Sequence, residues 1–203
     1  MKVDFHLHTS EYSGCAMATA EEQIRSAKKS GLDVIFITDH MTLFPMEVIE
    51  DYNKQYAPLK IYQGIEVTIM EGAYEDVLVL GVHDPKIEGS RWKYEDLYAY
   101  VKKKGGAIIL AHPYRFADEV NVNIWDYPPD AVEVLSSNIG RENYERRRLL
   151  ANNLECPMVT NSDSHFIENT GCYYNIFPDS CVDEASIIEA LKKGDFECGS
   201  IRT

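Results

Sequence analysis

Nothing in this chain is apolar for long. The longest unbroken apolar runs stand near Val34–Ile37, Val77–Val82 and Ala107–Ala111, far short of the roughly 18–20 residues that span a bilayer. The opening MKVDFHLH has no apolar leader core, so the expectation is a cytoplasmic protein with no membrane partner. The five cysteines, Cys15, Cys156, Cys172, Cys181 and Cys198, form no C-x-x-C pair and are odd in number. That disfavours a disulfide framework or a cysteine zinc cluster and fits reduced thiols. There is no internal repeat, no linker rich in Gly, Pro or Ser and no low-complexity stretch. Positive charge is in deficit: 20 Lys and Arg against 33 Asp and Glu leave a formal charge of −13. Such a balance repels polyanions, which disfavours long nucleic acid as a partner, although bound divalent cations would offset it locally. What remains is 203 residues, 45% apolar and 26% charged, the composition of an ordinary globular chain with a single domain.

Short runs rich in Val and Ile alternate with helical patterns. The strand candidates are Val3–His8, Val34–Asp39, Ile61–Ile69, Val77–Val82, Ala107–His112, Ala131–Ser136 and Met158–Asp163. Most are apolar throughout, as strands buried on both faces of a parallel sheet are. Helices are expected over Thr19–Ser30, Glu47–Tyr56, Tyr94–Lys104, Arg141–Asn153 and Glu184–Lys193. The first opens on a capping box, Thr19-Ala-Glu-Glu22, and stops at Gly31. Only Met70–Asp76 separates the third and fourth strands, too short for a crossover helix, so a hairpin or irregular loop is expected there. Repeated β–α units build an open doubly wound sheet or a barrel.

The placement of the polar residues favours the barrel. Five of the six histidines lie beside strand runs, in His6-Leu-His8, Asp39-His40, Ala111-His112 and Asp163-Ser-His165. Glu66 and Glu133 sit within strands, and Asp76 opens the fourth. In a β–α barrel the C-terminal strand ends meet on one face, and that face holds the active site. In His6-x-His8 and Asp163-x-His165 the two side chains share one face of an extended chain. Neutral imidazoles and carboxylates are ligands for Zn²⁺, Mn²⁺ or Fe²⁺ alike. His83, just past the fourth strand, is either a ligand or an exposed loop residue. The basic runs Lys102–Lys104 and Arg146–Arg148 read as solvated outer helix faces.

Taken in order, His6-Leu-His8-Thr9, Thr38-Asp39-His40, Gly64-Ile-Glu66, Ala111-His112-Pro113-Tyr114-Arg115 and Asn161-Ser-Asp163-Ser-His165 resemble the successive motifs of the PHP (polymerase and histidinol phosphatase) family. The resemblance implies a single PHP-like domain over residues 1–203, an α/β fold in the form of a distorted (β/α)7 TIM-like barrel, with its metal site at the C-terminal strand ends. It implies two or three divalent ions, Zn, Mn or Fe, and hydrolysis of phosphoesters. Carried over by position, His6, His8, Glu66 and Asp163 look like ligands of one ion, with Glu66 bridging to a second held by His112. His40 and His165 match a third position. Asp39 is either a ligand or a group that orients an imidazole, and Asp39 or His165 would assist proton transfer. Arg115, directly after His112-Pro113-Tyr114 and so on the same rim, either grips phosphate oxygens or is a surface arginine paired with one of the many acids. Where many members carry an acidic ligand in an S-D-G motif, this chain has Ser13, and Glu11 is the nearby substitute. Asp76 stands near a position often held by histidine.

The activity expected is a phosphatase or phosphodiesterase acting on a small phosphorylated metabolite or short nucleotide, through attack of a metal-bound hydroxide on phosphorus. A catalytically silent metal domain and an amidohydrolase-like acyl hydrolase are the alternatives. The loops that would set specificity are Ser10–Ala18, Met41–Pro45, His83–Lys93, Phe116–Pro129 and Phe166–Asp183.

Overall fold

A computed structural model describes residues 1–71, 73–89 and 91–201. Gly72, within the expected Met70–Asp76 connection, Ser90 and the last two residues lie outside the described set. The chain runs β1 (Lys2–Asp4), α1 (Ala20–Lys29), β2 (Val34–Ile37), α2 (Met46–Tyr56), β3 (Lys60–Glu71), β4 (Ala73–Leu80), α3 (Tyr94–Lys104), β5 (Ala107–Leu110), β6 (Ala131–Leu135), α4 (Tyr144–Asn153), β7 (Met158–Thr160), β8 (Tyr173–Ile176), α5 (Glu184–Lys193) and β9 (Glu197–Ser200). One sheet in the order β7-β6-β5-β4-β3-β2-β1-β8-β9 curls into a nearly closed barrel. The regular sevenfold repeat is therefore not kept: the described residues hold nine strands and five α-helices. Among them no helix is long and apolar enough to cross a membrane.

Alternation along the strands builds the core. Val34 and Phe36 join Val3, Phe5, Leu78, Leu80, Ala107 and Ile109 in an interior cluster closed from below by Ile187, Ile188 and Leu191 of α5. Their neighbours Ile35 and Ile37 face outward onto Ile24 of α1 and Ile49 of α2. On the far wall Val77, Val79, Ile108 and Val132 pack against Leu97 of α3 and Leu150 of α4. Thr19 and Glu22 do form the capping box of α1, and Gly105 and Gly194 end α3 and α5 with left-handed backbone. No side chain but hydrogen fits that conformation at low cost.

The short third connection has a topological consequence. β4 pairs antiparallel with both β3 and β5, so it runs against the parallel set and its first residues, not its last, reach the rim. Asp76 is thereby brought to the rim, opposite Thr68. His83 leaves β4 at the other end, where its ring lies 2.9 Å from Gln63 Oε1 and 2.9 Å from Glu184 Oε2 of α5. His83 takes no part in the histidine cluster.

The seam between β1 and β7 is closed by other means. A parallel bridge joins Leu7 to Ser164 at the rim. Below it the Asn175 amide of β8 donates to Val3 O and Thr160 O and accepts from Thr160 N. The fully buried Gln23 of α1 adds a staple, donating to His8 O and Ser164 O while accepting from Ser164 Oγ and Thr170 Oγ1. The middle of Phe166–Asp183, expected as a rim loop, is thus β8, paired with the start of β1 at the barrel floor.

Candidate metal centre

Most of the clustered residues lie past the strand ends, although Glu66 stands within β3. β1 ends at Asp4, where Asp4 Oδ1 accepts from His6 N. Phe5 packs in the interior cluster, yet Leu7, two residues on, packs in the outer one, so the alternation slips at this point. Beyond the strand ends several backbone N–H groups are taken by side chains, while those of His8, Thr38, Asn161 and Ser164 keep backbone partners. Phe5 N donates to Asn161 Oδ1, Leu7 N to Thr38 Oγ1, Thr9 N to Asp39 Oδ1, His112 N to Glu133 Oε2 and Ser162 N to Asp4 Oδ1. His112 and Asp163 have positive φ, 30° and 48°, a conformation uncommon outside glycine and held by its surroundings. Gly64, two residues before Glu66, leaves room for close approach: a Cβ there would stand 2.8 Å from Thr38 Cγ2.

Four donor atoms from three segments meet at the centre. His6 Nε2 and His8 Nε2 are 3.0 Å apart. Glu66 Oε2 lies 3.4 and 3.2 Å from them, and Asp163 Oδ1 lies 3.4 Å from each. Atoms that share one ion at about 2.0–2.2 Å in tetrahedral array stand about 3.3–3.6 Å apart. The four edges to the carboxylates lie at or just below the short end of that range, and the His6–His8 edge is shorter. His6, His8 and Asp163 converge as one set of donors, and His6, Glu66 and His112 as another. Both carboxylate oxygens are buried and receive no hydrogen bond.

The tautomers complete the fit. His6 Nδ1 faces Glu133 Oε1 at 3.1 Å, an acceptor only, so this nitrogen carries the hydrogen and Nε2 offers its lone pair. Ser13 Oγ donates its one hydrogen to Asp39 Oδ1 at 2.6 Å and therefore accepts from His8 Nδ1 at 3.2 Å and His40 N at 3.1 Å. His8 Nε2 is left as a second lone pair. Two lone pairs and two carboxylate oxygens, buried together, call for positive charge. In the protein alone protons supply it. Burial opposes charging of His6, but Asp163, Glu66 and Glu133 outweigh it and hold its pKa well above the ordinary value. Burial likewise opposes His8, but Asp163 and Glu66 raise it to about 9. Burial favours neutral Glu66 and Asp163, yet the surrounding imidazoles, His6 foremost, keep both ionised.

Glu66 reaches a second group with its other oxygen, Oε1, 2.9 Å from His112 Nε2. Asp76 Oδ2 is 3.9 Å from the same nitrogen, while its Oδ1 accepts from Thr68 Oγ1. His40 Nδ1 is 3.0 Å from Glu66 Oε2, and His40, His8 and His165 make a third converging group. His165 is held down to about 4 by burial and by His8, and Asn138 Nδ2 lies 3.3 Å from its Nδ1. Arg115 Nη1 stands 3.4 Å from Asp163 Oδ2.

The structure thus brings His6, His8, His40, Glu66, His112, Asp163 and His165 together, with Asp76 and Arg115 at the edge. It does not bring Glu11, whose carboxylate accepts from Ala20 N at the start of α1, where a negative charge meets the positive end of the helix dipole. Asp39 is placed behind His8. Both its oxygens are engaged, by Thr9 N, Thr9 Oγ1 and Ser13 Oγ, so it orients an imidazole rather than facing the centre. Glu133, within β6, bonds His6 and the His112 backbone at once. Gln23 and Asn138 escape sequence reading. For Gln23 the signal was present: it falls on the Ala20, Ile24, Ala27 face of its helix, the buried one.

The PHP domain family model matches residues 4–193. An uncharacterized protein of Methanocaldococcus jannaschii is 28% identical over 148 residues, 68% of this chain and 82% of that protein. A two-domain protein of Bacteroides vulgatus, described as containing a predicted PHP-like metal-dependent phosphoesterase, superposes with a TM-score of 0.70 at 18% identity, over 98% of this chain and 64% of that one. A protein of Chromobacterium violaceum named as an amidohydrolase, with bound sulfate and no metal, gives 0.67 at 15% identity, over 94% and 97%. These structures share the fold.

Proposed function

Because this chain belongs to the PHP domain family, we propose that its metal-dependent hydrolase site cleaves phosphoesters of small molecules. One observation supports the metal part of the reading: His6, His8, Glu66 and Asp163, with two imidazole lone pairs fixed by Glu133 and Ser13, bury four donor atoms 3.0–3.4 Å from one another across five pairs. His6, His8, Glu66 and Asp163 would hold one ion, and Glu66 with His112 and Asp76 a second. A complete third position competes with the first, because His8 has only Nε2 to give while Ser13 engages Nδ1. Two ions are therefore the proposed complement. Bound there, divalent ions supply a nucleophilic water at neutral pH and offset charge on a phosphoryl group.

The chain's own residues supply the rest. Arg115, beside Asp163 at the rim, would bind phosphoryl oxygens and steady the charge that builds on them. His165, neutral near pH 7 because burial holds its pKa down, is suited to accept a proton rather than to give one. Glu133 keeps His6 and His112 in register. The Chromobacterium protein's name points to acyl substrates, whereas its sulfate is a tetrahedral anion like phosphate.

The test is hydrolysis of p-nitrophenyl phosphate by chelator-stripped protein with and without Mn²⁺ or Zn²⁺. Activity should appear with metal and fall at least about a hundredfold in His112→Ala. Turnover of acyl esters with none of any phosphate in a panel would overturn the phosphoester reading.

A further inference from the structure

Three rim loops each set an exposed aromatic ring within four residues of a clustered histidine. Tyr12 follows His8 by four and is 42% exposed, Phe116 follows His112 by four and is 57% exposed, and Phe166 adjoins His165 at 48%. Single exposed apolar residues are ordinary, but several around one polar centre are the makings of a ligand site, whose walls are apolar and whose few polar groups fix orientation.

Phe116 is the best placed. Its ring meets the His112 ring edge to face, with centroids 5.9 Å apart and planes at 86°. The Arg115 guanidinium lies 4.9 Å from its centroid, and the same guanidinium reaches Asp163 of the metal centre at 3.4 Å. A phosphoryl group held between the centre and Arg115 therefore lies beside the Phe116 ring, more than half of which is exposed. Tyr12 is braced, its ring 5.4 Å from Phe44, so it offers a firm surface beside the His8 loop. The centre carries charge and the collar carries apolar surface, and a ligand that satisfies both has a phosphate at one end and an apolar body at the other.

We infer that Phe116 is a specificity-determining residue, and that the preferred substrates are phosphoesters of aromatic or bulky apolar alcohols rather than of small polar ones. This rests on the phosphoester reading above. Stacking against the open ring adds buried apolar area and an aromatic contact that a short-chain ester lacks.

The experiment compares 2-phenylethyl phosphate with ethyl phosphate, alkyl esters of like intrinsic reactivity, on the metal-loaded protein. Wild type should favour the phenylethyl ester at least about tenfold in kcat/KM, mostly through KM. Phe116→Ala should bring that ratio to within about threefold of unity, and Phe116→Tyr should restore it. Val182→Ala, which removes an exposed apolar side chain beside Lys60 at the barrel floor, should leave the ratio alone. A wild type without preference, or a Phe116→Ala that keeps it, overturns the inference. Calorimetric binding of 2-phenylethylphosphonate and ethylphosphonate to the same proteins reads the preference without turnover. A phosphonate preference that Phe116→Ala abolishes, with no phosphate hydrolysed, keeps the role of Phe116 and sinks the phosphoester reading. Equal hydrolysis of both esters with equal phosphonate binding does the reverse.

Discussion

The floor and the rim of this barrel satisfy the same backbone in opposite ways. On the floor, β2 and β5 pair with their neighbours residue by residue, from Val34 to Ile37 and from Ala107 to Leu110, and every side chain along them is apolar and buried. On the rim the ladders end. N–H groups of Phe5, Leu7, Thr9, His112 and Ser162 turn instead to Asn161, Thr38, Asp39, Glu133 and Asp4. A ladder asks only for extended backbone, so the floor tolerates any apolar residue of the right size. A backbone held by side chains needs a particular acceptor at each point, and a missing one leaves a buried group unpaired. The floor thus carries stability and the rim carries position.

That division is broken most forcefully from below. Phe36 is fully buried on β2, with its ring 5.2 Å from Phe5 and 5.3 Å from Tyr62. Phe36→Ala should cost about 3–5 kcal/mol of unfolding free energy through lost burial and the cavity left behind. Metal affinity of the folded fraction should stay within about threefold, since the Phe36 ring packs on Phe5 and Tyr62 within the apolar interior cluster. Denaturant unfolding and a metal titration below the midpoint measure the two. Affinity falling in step with stability would mean that floor and rim are one cooperative unit, not two.

The same contrast explains what could be read in advance. Floor strands announce themselves as apolar runs, and all seven expected strands exist, although β1 and β7 stop at Asp4 and Thr160, short of the expected His8 and Asp163. The ligand-bearing residues lie past those ends, where pattern no longer reports pairing. β8 and β9 went unseen because Tyr-Tyr-Asn-Ile and Glu-Cys-Gly-Ser have neither an apolar run nor clear alternation. His, Asp and Glu at strand ends marked the cluster well, since few other uses of such groups are compatible with burial. Glu11 was a candidate by sequence distance alone, and its carboxylate goes to a helix terminus instead. The residues that brace the cluster, Ser13, Gln23 and Asn138, are small polar residues with many ordinary uses, and only the fold reveals which one each has.

A smaller effect is expected from the rim side. Ser13→Ala removes the acceptor of His8 Nδ1 and of His40 N together, without touching a donor atom of the centre. Loss of such an orienting partner costs about 10–100-fold in metal affinity, and the buried groups it leaves unpaired should cost the metal-free fold about 1–3 kcal/mol. Competition with a chromophoric chelator gives the dissociation constant. An affinity within threefold of wild type would show that packing alone orients His8, and that the division between floor and rim is less sharp than drawn.

The mildest probe changes no residue. His6 is held above its ordinary pKa and His8 at about 9, so both carry protons near pH 7 in the metal-free protein, and a cation entering between them must displace protons. Metal affinity should therefore rise with pH from neutrality to about 9, where His8 loses its proton, about tenfold per unit for each proton displaced. Glu66 and Asp163, kept below the usual carboxylate range, are ionised throughout this window, and His165 at about 4 is neutral. None of these three contributes slope. For the metal-free fold the sign is opposite: His8 has a raised pKa, so its stabilising charge is complete below about 6.5 and is lost as pH climbs through about 9. Calorimetry at pH 7.5 in buffers of different ionisation enthalpy counts the protons released. One or two per ion at the four-donor position supports the separation of a rim tuned for charge from a floor indifferent to it. Zero, with an affinity flat in pH, would mean that the two lone pairs are not held where Glu133 and Ser13 place them.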